Sequence, residues 1–178
     1  MLPVLATRGR AIAPDLPGFG RSDKWSEPDD YTYRRPYDAV EGFVEALELT
    51  NVTLVCQDWG GCLTDLDDDI LAGYAAPLPD EEHLAGVRAL PGAVPTEPDH
   101  PAADRSGRPA RRWGWERPAF VLFADGDPIT RESRDDLREL LPTAAEQPEV
   151  WIEDAGHFLQ EDAGARVADR IVSFVGRT

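Results

Sequence analysis

Residues Asn51–Gly61 read NVTLVCQDWGG. The first half is apolar and largely β-branched, with Val52, Thr53, Leu54 and Val55 in succession, and the run stops at Asp58-Trp59-Gly60-Gly61. A short apolar run ended by glycine reads as a buried strand of a parallel sheet. Its end has the form small-x-acid-x-small, from Cys56 to Gly60. That is the spacing of a nucleophile elbow, a strained strand-to-helix turn whose small flanking residues let backbone approach backbone. The side chain such a turn presents here is a carboxylate, Asp58.

Upstream, residues 1–10 read as the end of a helix running into a turn at Gly9. Arg10–Ala13 reads as a short strand, followed by the loop PDLPGFGRSD at 14–23. Its prolines and glycines place it at the carboxyl end of that strand, where α/β folds put ligand-binding loops. Gly18-x-Gly20 lacks the third glycine and the following helix of a dinucleotide fingerprint. Tyr37–Leu49 carries Val40, Phe43, Val44 and Leu47 at three- and four-residue spacing, which predicts an amphipathic helix. Strand, loop, helix and strand make a βαβ unit and hence a parallel sheet.

Downstream, Asp67-Asp68-Asp69 interrupts the helix that an elbow requires, and a short helix over Asp67–Gly73 is expected. Eight prolines fall between Pro77 and Pro118, where only Asp80–Leu90 has helical character. That stretch reads as an excursion from the sheet. Order returns with the strand Ala119–Ala124, the helix Glu132–Leu141, the strand Glu149–Ile152 and a closing helix Asp162–Val175 with Val167, Ile171 and Val175 spaced by four. The expected organisation is an N-terminal core segment 1–62, a proline-rich segment 63–117 and a C-terminal core segment 118–178.

The chain has 178 residues, 42 % of them hydrophobic, enough for a globular core. A net charge of −16 argues against a nucleic-acid partner, which needs a basic face. No apolar run approaches the ~18 residues of a membrane span. Cys56 and Cys62 are too few for a disulfide scaffold, which points to a reducing, cytoplasmic setting. No histidine or cysteine spacing suggests a metal, and His83 and His100 read as surface residues.

Three side chains lie at carboxyl ends of predicted strands, in the order Asp58, Asp127, His157. An aspartate nucleophile can displace a leaving group from an sp³ carbon and be left as an alkyl ester. A histidine must then activate water against the ester, and a carboxylate must fix the histidine's tautomer. Either Asp125 or Asp127 can supply that carboxylate.

Together VCQDWGG, DLPGFGRSDK, FADGDPIT and DAGHFLQED resemble the haloalkane dehalogenases of the α/β-hydrolase fold. The resemblance implies a parallel sheet flanked by helices. It makes Asp58 the nucleophile, Trp59 the indole donor to the departing halide and an oxyanion N–H, Asp127 the acid and His157 the base. It implies no metal or cofactor; the partners are a halogenated alkane, water and halide. An epoxide hydrolase is a second possibility, but that reaction needs lid tyrosines, and only Tyr74 lies between the elbow and Ala119.

Two departures from the family pattern are expected. The family's HG-type loop, with a second oxyanion donor, precedes the segment matching Arg10–Gly20 and has no counterpart after Met1. Between Asp58 and Asp127 the chain is too short for elbow helix, strand and full lid together. LAGYAAPLPDEEHLAGVRALPGAVPTEPDHPA resembles the end of a dehalogenase lid joined almost directly to Gly61. Trp113 and Trp115 match no motif. The fold is therefore expected to be incomplete, with a reduced lid, and a catalytically inactive remnant or binding module is the alternative to an enzyme. Unpaired strand edges would favour self-association.

Overall fold

The computed structural model describes residues 1–32, 34–57, 76–89 and 116–178. The chain divides into two compact units, one of Met1–Ile12 with Arg108–Thr178 and one of Ala13–Gly107.

The first unit is built around a parallel ladder. Strand β1 (Phe123–Ala124) pairs with β2 (Trp151–Ile152), Phe123 opposite Trp151 and Ala124 opposite Ile152. The expected strands over Ala119–Ala124 and Glu149–Ile152 are thus present, shortened to the residues that share a ladder. Beyond it the pairing continues as two single bonds, Asp125 N–H to the Ile152 carbonyl (3.1 Å) and Gly126 N–H to the Ala155 carbonyl (3.0 Å). Helix α4 (Ser133–Leu140) lies in the crossover between the strands. Helices α5 (Leu159–Asp162) and α6 (Gly164–Val175) follow β2, and the short N-terminal α1 (Leu2–Leu5) packs on α6. Ala124, Ile152, Ala155, Ala163 and Val167 form the core, with Met1, Leu122, Leu159 and Ile171 packed around them. Phe174 of α6 stacks on Phe120 at 5.6 Å. Of the residues spaced by four in the closing helix, Val167 and Ile171 face the core, and Val175 is half-buried.

Two details differ from expectation. Asp162 does not open the closing helix: the helical run breaks at Ala163, and the Asp162 carboxylate turns back to accept the Gly156 N–H at 2.7 Å. In α4 the buried side chain is Arg134, while Leu137 is exposed. The Arg134 guanidinium lies 4.6 Å from the Trp151 ring centre and reaches Glu149 at 3.4 Å. A long arginine stem over an indole face covers apolar surface as a leucine would, and adds a cation–π contact.

The second unit holds α2 (Arg34–Ala46) and, after a 3₁₀ turn at Glu82–Leu84, α3 (Ala85–Ala89). Tyr31 is its hub. The ring is buried, meets Trp25 edge-on at 5.1 Å, and its hydroxyl bonds both backbone groups of Trp25 at 3.1 Å. Gly18 has φ +95° and lies so close to Tyr31 that a Cβ there would stand 2.3 Å from the ring. Glycine is required at that point by conformation and by space.

Arg10–Ala13 and Asn51–Gln57 are not strands in this structure. Neither joins a ladder among the described residues, and Val52, Leu54 and Val55 are 52 %, 70 % and 51 % exposed. A strand is defined by the neighbour that accepts and donates its backbone bonds; an apolar pattern without one stays extended and wet. The expected helix at Asp67–Gly73 lies outside the described residues. Among the described residues no helix is long and apolar enough to cross a membrane.

Candidate active site

Parallel pairing brings the carboxyl ends of β1 and β2 to one edge, so the loops that leave them are neighbours. Asp127 stands three residues beyond β1 and His157 five beyond β2. The loops can touch because residue 126 is glycine: a Cβ there would lie 2.8 Å from the Ala155 carbonyl oxygen. On the other side, Asp154 takes φ +53°, a left-handed turn that aspartate tolerates better than most residues. The Asp162 carboxylate then holds the Gly156 N–H, immediately before His157.

The result is a buried acid–imidazole pair. Asp127 is 5 % exposed and His157 7 %. Imidazole Nδ1 lies 3.2 Å from both Asp127 oxygens. Asp127 Oδ1 also accepts the backbone N–H groups of Ile129 (2.8 Å) and Thr130 (3.1 Å), and Oδ2 accepts the Thr130 hydroxyl. Burial alone would push this carboxyl up. The hydrogen bonds from the Thr130 hydroxyl, the two backbone N–H groups and His157 outweigh it and hold the carboxyl below its ordinary value. An ionised carboxylate only accepts, so Nδ1 carries a proton; in the neutral ring the lone pair is then on Nε2. That tautomer is the one a general base needs. The His157 ring also meets Phe158 edge-on at 5.2 Å.

Of the residues singled out from the sequence, the structure brings Asp127 and His157 together. Asp125, the competing acid, bonds its described neighbours through its backbone: its N–H joins the β2 side, and its carbonyl accepts Arg131 at 2.9 Å. Asp58 and Trp59 lie outside the described residues, as do Cys62, Tyr74, His100, Trp113 and Trp115. His83 is half-buried and its Nδ1 bonds Asp80. Thr130 and Asp162 were not evident as supports of the site. The signal for Thr130 is its place three residues after an aspartate in a Pro-containing turn, where an Asp side chain takes up backbone N–H groups.

Comparison with known proteins adds an independent line. A sequence model described as the alpha/beta hydrolase fold matches residues 1–64, a stretch that includes Asp58 and Trp59. The chain is 32 % identical over 237 positions to a haloalkane dehalogenase of Psychrobacter cryohalolentis, covering 98 % of this chain and 77 % of the relative. It is 33 % identical over 238 positions to haloalkane dehalogenase 1 of Mycobacterium bovis, covering 98 % and 77 %. Both alignments are longer than the 178 residues available here, so these relatives hold internal residues that this chain lacks. Among solved structures, the haloalkane dehalogenase DpaA of Paraglaciecola agarilytica, described as tetrameric, superposes with a TM-score of 0.79 at 26 % identity. The match covers 96 % of this chain and 76 % of that one.

Proposed function

Because the chain belongs to the haloalkane dehalogenase family, hydrolases of the α/β-hydrolase fold, we propose that it hydrolyses carbon–halogen bonds through an ester on Asp58. A carboxylate oxygen of Asp58 attacks the sp³ carbon that bears the halogen. The carbon–halogen bond breaks with its electron pair on the halide, which takes a hydrogen bond from the Trp59 indole N–H. Water then attacks the ester carbonyl while His157 Nε2 removes its proton. Collapse of the tetrahedral species returns the Asp58 carboxylate and an alcohol, and His157 later gives its proton to solvent. Asp127 keeps the imidazole in the Nδ1–H form and stabilises the cation formed when Nε2 is protonated. The overall balance is alkyl halide plus water to alcohol, halide and a proton.

The observation that carries this reading is the buried Asp127–His157 pair, with imidazole Nδ1 3.2 Å from both carboxylate oxygens. A surface histidine would have no reason to be held in this way.

One observation favours a second reading, a chain of the same family without catalysis. The segment that leads to Asp58 joins no ladder among the described residues and exposes its apolar side chains. An elbow presents its nucleophile through the strand that feeds it.

The deciding experiment incubates the purified chain with a 1-bromoalkane and follows bromide and alcohol together. The proposal expects both in equal amounts, and neither from Asp58→Ala. Bromide no higher than in buffer would leave the second reading standing. Diol from styrene oxide without bromide from the alkyl halide would point to epoxide hydrolysis instead.

A further inference from the structure

The carboxylate of Asp127 is held by two kinds of donor, and they do different work. The N–H groups of Ile129 and Thr130 both bond Oδ1. Anchoring at one oxygen leaves the carboxylate plane able to turn about that anchor. The Thr130 hydroxyl bonds the other oxygen, Oδ2, and removes that freedom. Oδ2 also faces the His157 imidazole, with Nδ1 at 3.2 Å.

We propose that Thr130 is a positioning residue for the Asp127–His157 pair: its hydroxyl fixes the carboxylate plane so that both oxygens face the imidazole and the ring proton stays on Nδ1. This rests on the reading of the pair as the hydrolytic base and its partner. Thr130 touches neither substrate nor water in that reading. It acts through Asp127, and its effect falls on the hydrolysis of the ester and not on the attack by Asp58.

The test compares the full chain with Thr130→Val, which keeps the shape and loses the hydroxyl, and with Thr130→Ser, which keeps the hydroxyl. Thr130→Ala serves if the valine variant does not fold. Imidazole ¹⁵N shifts, assigned by loss of the signal in His157→Phe, report the tautomer near neutral pH. The wild type and Thr130→Ser are expected in the Nδ1–H form; the valine and alanine variants move toward a mixture with Nε2–H. With a 1-bromoalkane under single-turnover conditions, those variants slow ester hydrolysis on the order of tenfold and leave bromide release unchanged. Thr130→Ser restores the rate. Wild-type nitrogen shifts and hydrolysis in the valine and alanine variants would overturn the proposal. So would an equal loss in both steps that the serine variant does not rescue. If the wild type releases no bromide, the reading of the pair as hydrolytic fails by itself, and the nitrogen shifts still decide the role of Thr130.

Discussion

Two segments of this chain look alike as sequence and end differently. VLFA at 121–124 and VTLV at 52–55 are both short, apolar and followed within a few residues by an aspartate and glycine. Val121 and Ala124 are buried, and Ala124 shares a ladder with Ile152. Val52, Leu54 and Val55 are half or more exposed. The difference lies in what stands beside each run. Ile152 and Val167 close over the first, and a buried acid–imidazole pair is assembled at its end; the second joins no ladder among the described residues. Burial is therefore conferred by partners, and local pattern only makes a segment eligible for it.

The comparison can be broken first at its chemistry. Asp127→Ala is expected to lower turnover of a 1-bromoalkane by a factor on the order of 10⁴, with esterified enzyme accumulating, because His157 loses the group that fixes its tautomer. Stopped-flow bromide release against steady-state alcohol formation measures this.

The next break is in the core. Ile152→Ala removes a side chain that is 2 % exposed and is expected to cost about 2–5 kcal/mol in urea unfolding. Gly126→Ala forces a methyl against the Ala155 carbonyl. It is expected to cost about 1–3 kcal/mol and to separate the two loops, seen as weaker coupling between His157 and Asp127 in the imidazole nitrogen shifts.

Acid acts on the same region in a known direction. The folded Asp127 carboxyl lies below its ordinary value. Its contribution to stability is thus full above the unfolded value near ~3.9 and is lost as pH falls through the lower folded value. Unfolding midpoints at successively lower pH should fall more steeply for the wild type than for Asp127→Asn. The smallest effect belongs to the exposed run: Leu54→Lys should change stability by less than ~0.5 kcal/mol. A loss comparable to that of Ile152→Ala would mean that the two segments are buried alike after all.

The Asp127–His157 part of the candidate site was legible because strand ends in parallel sheets announce themselves. FADGDP passes from apolar residues to acid, glycine and Asp127, DAGHF carries acid, glycine and His157, and the parallel order places both at one edge. Between Asp125 and Asp127 the strand-end pattern left the choice open; the resemblance preferred Asp127, and its side chain is the one that lies against the imidazole. Other features were hidden for physical reasons. Arg134 reads as a surface residue on any polarity pattern, and is buried because an indole lies beneath its guanidinium. Asp162 reads as a helix start, yet its carboxylate serves a backbone N–H six residues upstream. The exposure of 52–55 could not be read locally, since it depends on neighbours remote in the chain.

In the proposed reaction Asp58 is alkylated and His157 releases it. The most direct measurement is peptide mass spectrometry of His157→Phe after reaction with a 1-bromoalkane. It should be run in a Cys56→Ser background, because the Cys56 thiol is free and exposed and could itself be alkylated. One alkyl group is expected on the peptide containing Asp58 in that variant, and none in the corresponding protein that retains His157. An unmodified Asp58 peptide in the variant, or an alkyl group found only on another residue, would contradict it.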